Sequence, residues 1–347
     1  MVRPDIVYSR GRPYFLECNL HSVIGGVVSS SIVGKFFLRS PTAVRLMRDG
    51  VGIHARSSLE ARRLLLLDVA RDMGLRRPPR VALIGWEGDV PPPSSVRLFT
   101  EEAEYLSQNG VPTMFIQPQE LKIRGGRLAA GSRRFDIALR IFLTREYARA
   151  GVSMELFRAT ERADGTMVLT DDLCSLYTNK IVFAWLHEDA ASMRKPDREF
   201  IRRHIPWTFV VRGGPLERAG GKRVDLPSYL LRRRREFVLK PLRGSGGSGV
   251  VIGRDCPESR WTRHIADAVK KGGFIAQRYV APDLAAMPFL VDGAIQVVKV
   301  PVVLGPFVFG RHDGGCFARF PIDPDRRVVN RAMGAAASVV MAGGRAQ

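Results

Sequence analysis

Apolar and polar positions alternate from the start of the chain. "DIVYS" and "PYFLECN" are rich in β-formers and "RGRP" between them carries turn chemistry, so residues 1 to 20 predict two strands joined by a tight turn. "HSVIGGVVSSS" is small and glycine-rich and predicts a loop. In "SLEARRLLLLDVARDMG" the apolar residues recur at helical spacing over 58 to 74, with Ser58 as a cap and Gly74 as a stop. The continuous apolar run "RVALIGW" predicts a buried parallel strand, "SVRLFTEEAEYLSQNG" a helix and "VPTMFIQ" a second strand. That order is a βαβ unit and implies a parallel sheet. "LKIRGGRLAAGSRRFDIALRIF" adds short strands around turns, and "SLYTNKIVFAWLHED" has helical spacing from Ile181 to Leu186. Further on, "IPWTFVV", "REFVLKP", "GVVIG", "FIAQRYV", "IQVVKVPVVLG" and "CFARF" predict strands, and "SRWTRHIADAVKKGG" a helix with a glycine stop. The small, apolar tail "AMGAAASVVMAGGRAQ" predicts a final helix.

Composition changes this picture in one respect. The 347 residues suggest two or three lobes, and 45% hydrophobic with 25% charged content is ordinary for a globular protein. A net charge of +20 is not. One reading is an anionic partner; the other is a compositional bias toward Arg, Ala and Gly. The arginines are spread along the whole chain and are not interleaved with aromatics, which favours bias over a nucleic-acid surface. The run Arg232 to Arg235 reads as a solvated helix face or turn. Four cysteines form no CxxC pair, which indicates neither a zinc site nor a redox motif. With few thiols, no long apolar span and no signal-peptide pattern, the expectation is a soluble cytoplasmic chain without a membrane partner.

Two stretches carry chemistry. In "FVLKPLRGSGGSGV" a strand ends in Lys240 and runs into a glycine-rich loop before another strand. Glycines expose backbone N–H groups to phosphate oxygens, and the lysine supplies a cation beside them. The order is not that of a P-loop, whose lysine follows the glycines and opens a helix. A flexible hairpin turn with an incidental lysine reads equally well from this stretch alone. At the other end of the chain, "ECN" puts Glu17 and Asn19 on one face of a strand. A carboxylate and an amide oxygen are a partial shell for Mg2+. A tight hairpin would set Asp5 near Glu17, with Arg3 on the same face as Asp5.

Taken together, these pieces resemble the ATP-grasp superfamily. The matching segments are "NK" at Asn179 and Lys180, "FVLKP" at Lys240, "GSGGSG" at 244 to 249, "IAQRYV" at 275 to 280 and "ECN" at 17 to 19. With E-x-N ahead of everything else, the order is similar to the circularly permuted branch that includes relatives of glutathionylspermidine synthase and other peptide or amide ligases. The resemblance implies an α/β (α+β) fold: a circularly permuted ATP-grasp fold with a Rossmann-like pre-ATP-grasp domain. Residues 1–75 would carry the metal strands and a helix, 76–165 the pre-ATP-grasp domain, and 166–347 the lysine, flap and hinge subdomains. Met1 stands only two residues before Arg3, where the resemblance implies more chain ahead of the first metal strand.

The resemblance also implies roles. Lys180 and Lys240 would contact ATP phosphates, and Gly244, Ser245, Gly246, Gly247 and Ser248 would form the flap. Gln277, Arg278, Tyr279 and Val280 would be the adenine hinge, and Asp283 would hold ribose hydroxyls. Asp5, Glu17 and Asn19 would bind Mg2+, while Arg3 and Arg319 would stabilise transferred phosphate. Gln277 stands where many members have Glu. The implied activity is ATP- and Mg2+-dependent ligation of a small-molecule or peptide carboxylate to an amine through an acyl phosphate. The alternatives are a catalytically degenerate nucleotide-binding protein and a basic nucleic-acid-binding protein. His21 reads as a loop residue and Cys18 as core.

Overall fold

The computed structural model describes residues 1–20, 24–85, 94–142, 144–169, 174–217, 223–244, 247–322 and 334–345. Strands β1 (Arg3–Ser9) and β2 (Arg12–Asn19) form the expected hairpin. Arg10 (φ 52°) and Gly11 (φ 71°) turn it, two left-handed residues in the conformation whose twist matches that of paired strands. Next come α1 (Val27–Leu38), α2 (Pro41–Arg48), β3 (Val51–His54) and α3 (Ser58–Asp72). The predicted loop is therefore a helix from Val27 onward. Its N-cap is Gly26 at φ 97°, where an added Cβ would lie 3.1 Å from the Phe317 ring. The small residues that look like a loop are what let α1 sit close to the sheet. Ser57, not Ser58, caps α3, accepting from Glu60 N at 3.2 Å, while Ser58 is buried with its hydroxyl on the Val27 carbonyl.

Strands β4 (Val81–Ile84) and β5 (Thr113–Ile116) flank α4 (Ser94–Gln108) and pair in parallel. A small antiparallel sheet of β6 (Lys122–Arg124), β7 (Arg127–Ala130) and β8 (Arg133–Arg134) follows. Then β9 (Ile137–Arg140), α5 (Thr144–Arg149), α6 (Glu155–Arg158) and β10 (Met167–Leu169) complete a four-stranded parallel sheet in the order β10-β9-β4-β5. Val81 and Leu83 pack on one face against Leu66 and Leu106, while Ala82 and Ile84 pack on the other against Phe142 and Phe157. Burial on both faces is why this strand is apolar at every position.

Helices α7 (Cys174–Tyr177), α8 (Ile181–Glu188) and α9 (Lys195–His204) lead to β11 (Thr208–Val210) and to the β12 (Pro215–Glu217) and β13 (Arg223–Asp225) ribbon. After α10 (Leu226–Arg232) come β14 (Phe237–Pro241), β15 (Val251–Ile252), α11 (Glu258–Lys271) and β16 (Phe274–Arg278). These strands form an antiparallel sheet, β11-β16-β14-β15, packed on Trp261 and Ile265 of α11. The ribbon of β17 (Leu284–Val291) and β18 (Ala294–Pro301) precedes β19 (Val303–Phe309), β20 (His312–Phe320), β21 (Ala336–Val340) and β22 (Ala342–Arg345).

The predicted terminal helix is thus two strands. The edge of β20 offers a ladder to "AASVV", and that pairing overrides the helical preference of alanine. The resulting sheet runs β2-β1-β19-β20-β21, and β22 pairs with β3, so both ends of the chain build the same region. Among the described residues, no helix is long and apolar enough to cross a membrane.

Candidate active site

The β1–β2 register brings the N-terminal polar residues together. Arg3 lies opposite Asn19 and Asp5 opposite Glu17; the register then shifts, so that Ile6 opposes Phe15. Leu16 is the extra residue of a bulge, a feature that re-aims backbone groups beside functional sites. Asp5 is buried, and Glu17 keeps 30% of its side chain exposed. The Asn19 amide nitrogen donates to the Arg3 carbonyl at 3.1 Å, which leaves the amide oxygen as the acceptor end of the side chain.

Two buried guanidinium groups flank Asp5. Arg319 Nη2, from β20, stands 2.6 Å from Asp5 Oδ1, and Arg3 Nη2 stands 3.7 Å from it. Arg3 also donates to the Gly25 carbonyl at 2.5 Å. Its path depends on Gly305, where a Cβ would lie 2.9 Å from Arg3 Cδ. Burial pushes the Asp5 carboxyl up, but the charges of Arg319 and Arg3 outweigh it and hold the carboxyl below its usual range. Arg3 Nε and Arg319 Nε are buried without a hydrogen-bond acceptor, while Arg319 Nη2 faces Asp5 Oδ1 as an ion pair. Buried donors left unmatched are uncommon and costly.

Both predicted lysines meet this hairpin. Lys180, at the start of α8, places Nζ 3.3 Å from Glu17 Oε2 and donates to the Gly244 carbonyl at 3.1 Å. Lys240, at the end of β14, donates to Gln277 Oε1 at 2.7 Å and to the carbonyl of the bulged Leu16 at 3.2 Å. Two of its three N–H groups thus have neutral acceptors. Burial lowers the Lys240 ammonium to about 8 and neighbouring Lys180 adds to the drop, against the pull of Glu17 and Asp5.

The glycine-rich loop lies directly after Lys240. Gly244 (φ 152°), Gly247 (φ 76°) and Gly249 (φ 73°) adopt left-handed or extended-positive backbone that other residues rarely take. Gly244 and Ser248 are exposed; Ser245 and Gly246 lie outside the described residues, as does His21. The strands on either side, β14 and β15, pair antiparallel as the sequence predicts.

The hinge segment follows on β16. The Arg278 N–H donates to Trp207 O at 2.8 Å and the Tyr279 N–H to Glu236 O at 2.7 Å, so both are tied to the residues just ahead of β11 and β14. Val280 is half-buried just beyond. The Gln277 side chain turns inward to Lys240 and Thr208 rather than outward along the hinge. Asp283 is engaged at the tip of the β1–β2 hairpin: its carboxylate accepts from Arg10 N at 2.7 Å and Gly11 N at 2.9 Å. Those two backbone bonds hold the Asp283 carboxyl below its usual range.

Three contributors carry no sequence signal. They are the Leu16 carbonyl, exposed by a bulge; Thr208, brought opposite Gln277 by a long-range register; and Arg254, stacked 4.1 Å above the Tyr279 ring. Among the described residues, no group of three or more His, Cys, Asp and Glu side chains is arranged to hold a metal ion. The oxygen-bearing residues Asp5 and Glu17 sit opposite each other in the β1–β2 register, with Asn19 two residues along β2.

No protein-family model matches the sequence, and no curated protein matches it. Solved structures do. A glutathione synthetase-like effector from Globodera pallida, in its apo form, aligns over 99% of this chain and 73% of its own, with a TM-score of 0.57 at 12% identity. A putative γ-glutamylcysteine synthetase from Methylobacillus flagellatus KT aligns over 98% of this chain and 80% of its own, with a TM-score of 0.56 at 13% identity. At such identities the likeness concerns the fold. The chain shares the fold of these two proteins.

Proposed function

We propose that the protein is an ATP- and Mg2+-dependent carboxylate–amine ligase working through an acyl phosphate. The observation that carries this reading is the meeting of the N-terminal hairpin with both lysines beneath the glycine loop: Glu17 on Lys180 at 3.3 Å and Leu16 O on Lys240 at 3.2 Å. Two cations beside a glycine-rich loop suit the phosphates of a nucleoside triphosphate. The hinge from Gln277 to Val280 would take the adenine through backbone groups, and Asp283, whose carboxylate also accepts from Arg10 N and Gly11 N, would hold the ribose hydroxyls.

The donor set fits a magnesium ion. Asp5, Glu17 and Asn19 would hold the ion through hard oxygen atoms, the ligand type that Mg2+ prefers. When bound, the ion neutralises charge on the β- and γ-phosphates. The chain's own groups do the rest. A substrate carboxylate oxygen attacks the γ-phosphorus, the bond to ADP breaks, and Lys240, Lys180, Arg3 and Arg319 compensate the charge on the phosphoryl oxygens. The amine nitrogen then attacks the acyl carbon, phosphate leaves, and the amine gives up a proton. No nucleophilic side chain is needed; positioning and charge supply the rate.

In this reading the fold is a circularly permuted ATP-grasp, with the parallel sheet within 76–165 as a Rossmann-like pre-ATP-grasp domain. Residues 1–75 carry the metal strands, and 166–347 the lysines, flap and hinge. The substrates are a small or peptide carboxylate and an amine.

Lys240→Ala is expected to abolish ADP release in a coupled assay with Mg2+ and a panel of amino acids and peptides, while the far-UV spectrum stays unchanged. Undiminished turnover in the folded variant would overturn the reading. A second reading, nucleotide binding without ligation, draws on the Arg319 pairing with Asp5, which already neutralises one oxygen donor. MgATP binding with no ADP release across the panel would favour it.

A further inference from the structure

We propose that Thr208 is a positioning residue for Lys240, acting through Gln277. The inference rests on the ligase reading and deepens it, since it concerns the same phosphate-facing ammonium. Thr208, Gln277 and Lys240 are 1%, 2% and 8% exposed, and they form one chain of hydrogen bonds. The Thr208 hydroxyl donates to the Pro206 carbonyl at 2.7 Å, Gln277 Nε2 donates to Thr208 Oγ1 at 3.1 Å, and Lys240 Nζ donates to Gln277 Oε1 at 2.7 Å.

The direction of this chain is fixed at one end by backbone. A hydroxyl has one proton, and that of Thr208 is committed to Pro206 O. Its oxygen is then left to accept, which suits only the NH2 end of the Gln277 amide. The oxygen end must therefore face Lys240. Without the hydroxyl only Lys240 would hold that orientation, and the buried NH2 end of the amide would lose its acceptor.

The acceptor is also neutral. A carboxylate at 277 would satisfy the charge of Lys240. An amide oxygen fixes the position of the ammonium and leaves its charge for an anion. The Leu16 carbonyl, at 3.2 Å, acts in the same sense from the other side. Pairing across strands makes the arrangement durable, because Thr208 and Lys240 lie on the two strands that flank β16, with Thr208 directly opposite Gln277.

The test is calorimetric titration with MgATP and, separately, adenosine. Thr208→Val keeps the shape and loses the hydroxyl. MgATP affinity is expected to fall about tenfold, the scale of a lost bond in a charged hydrogen-bond chain, with adenosine affinity unchanged. Thr208→Ser should restore the MgATP value. In a Gln277→Leu background Thr208→Val should add less than about twofold, as expected of residues acting as one unit. Should Thr208→Val melt before titration, Thr208→Ala and Gln277→Leu carry the same comparison. Wild-type MgATP affinity in Thr208→Val, equal losses for MgATP and adenosine, or additive effects in the double variant would overturn the positioning role alone. A wild-type protein that binds no MgATP would overturn the ligase reading and this one with it.

Discussion

Lys240 gives the site its most distinctive titration. Its ammonium falls to about 8 because burial outweighs the pull of Glu17 and Asp5. The charged form is the one an anionic phosphate needs, so MgATP affinity should decline as pH rises through about 8. The stability of the ligand-free protein should run the other way. An unfolded lysine titrates at 10.5, so between about 8 and 10.5 the unfolded chain holds the extra proton and stability rises with pH. Lys240→Met should flatten both trends; calorimetry and urea melts across pH 7.5 to about 10 check them, and parallel slopes in wild type and variant would contradict the assignment. That Asp5 falls near Glu17 was readable from the sequence, because a tight turn lays the two strands side by side, but the pairing itself was not: an unbulged hairpin would set Asp5 opposite Leu16, and the bulge moves it to Glu17. Nor was the inward turn of Gln277. It depends on Thr208, sixty-nine residues away, arriving in register, and no local pattern encodes that. The basic excess also reads differently in three dimensions: Arg3, Arg62, Arg140 and Arg319 are all buried and ion-paired with Asp5, Glu102, Glu161 and Asp5 respectively.

The strand pair around the glycine loop depends on close backbone contact just beyond it. At Gly253, after β15, a Cβ would collide with the Arg234 carbonyl oxygen and lie 2.9 Å from that of Phe237. Both obstacles are backbone, so neither can swing aside. Arg234 itself donates to the Gly253 carbonyl at 2.8 Å and to that of Cys256, which ties the start of β14 to the end of the flap. Gly253→Ala should destabilise the fold by about 3 kcal/mol, the upper end of what overpacking costs. A fall in the urea midpoint with an unchanged slope checks it; an unmoved midpoint would mean that the contact relaxes freely. Elements with strong period or turn chemistry, such as α3, β4, β14 and α11, follow from the sequence. Two stretches that the sequence reads otherwise, the start of α1 and the terminal strands, are rich in small residues. Their own leanings, alanine's toward helix included, give way to what their neighbours offer, the Phe317 face for α1 and the open edge of β20 for β21.

The order of sheets in space differs from the order of segments in the chain. β1 is an interior strand, held by β2 on one side and β19 on the other, and its partner Leu304 comes almost three hundred residues after Ile6. The sequence announces strands at both ends but cannot say that they share a ladder, because pairing between distant segments leaves no periodic trace. The consequence is a specific failure on truncation. Removing residues 1–20 takes away two strands, two proposed metal carboxylates and the neutral oxygen on Lys240 in one step. It also strips one whole edge from β19, whose Phe307 and Phe309 are fully buried against Phe317 and α3. Hydrogen exchange at 303–320 should therefore accelerate to the rate of an unfolded chain in the truncated protein, while protection in β4 and β9 of the parallel sheet, which has its own two-sided core, persists. Protection retained at 303–309 would mean that the hairpin is an appendage of the last sheet. Its loss would mean that the residues gripping the proposed metal also hold that sheet together, so that the site and the fold stand or fall on the same ladder.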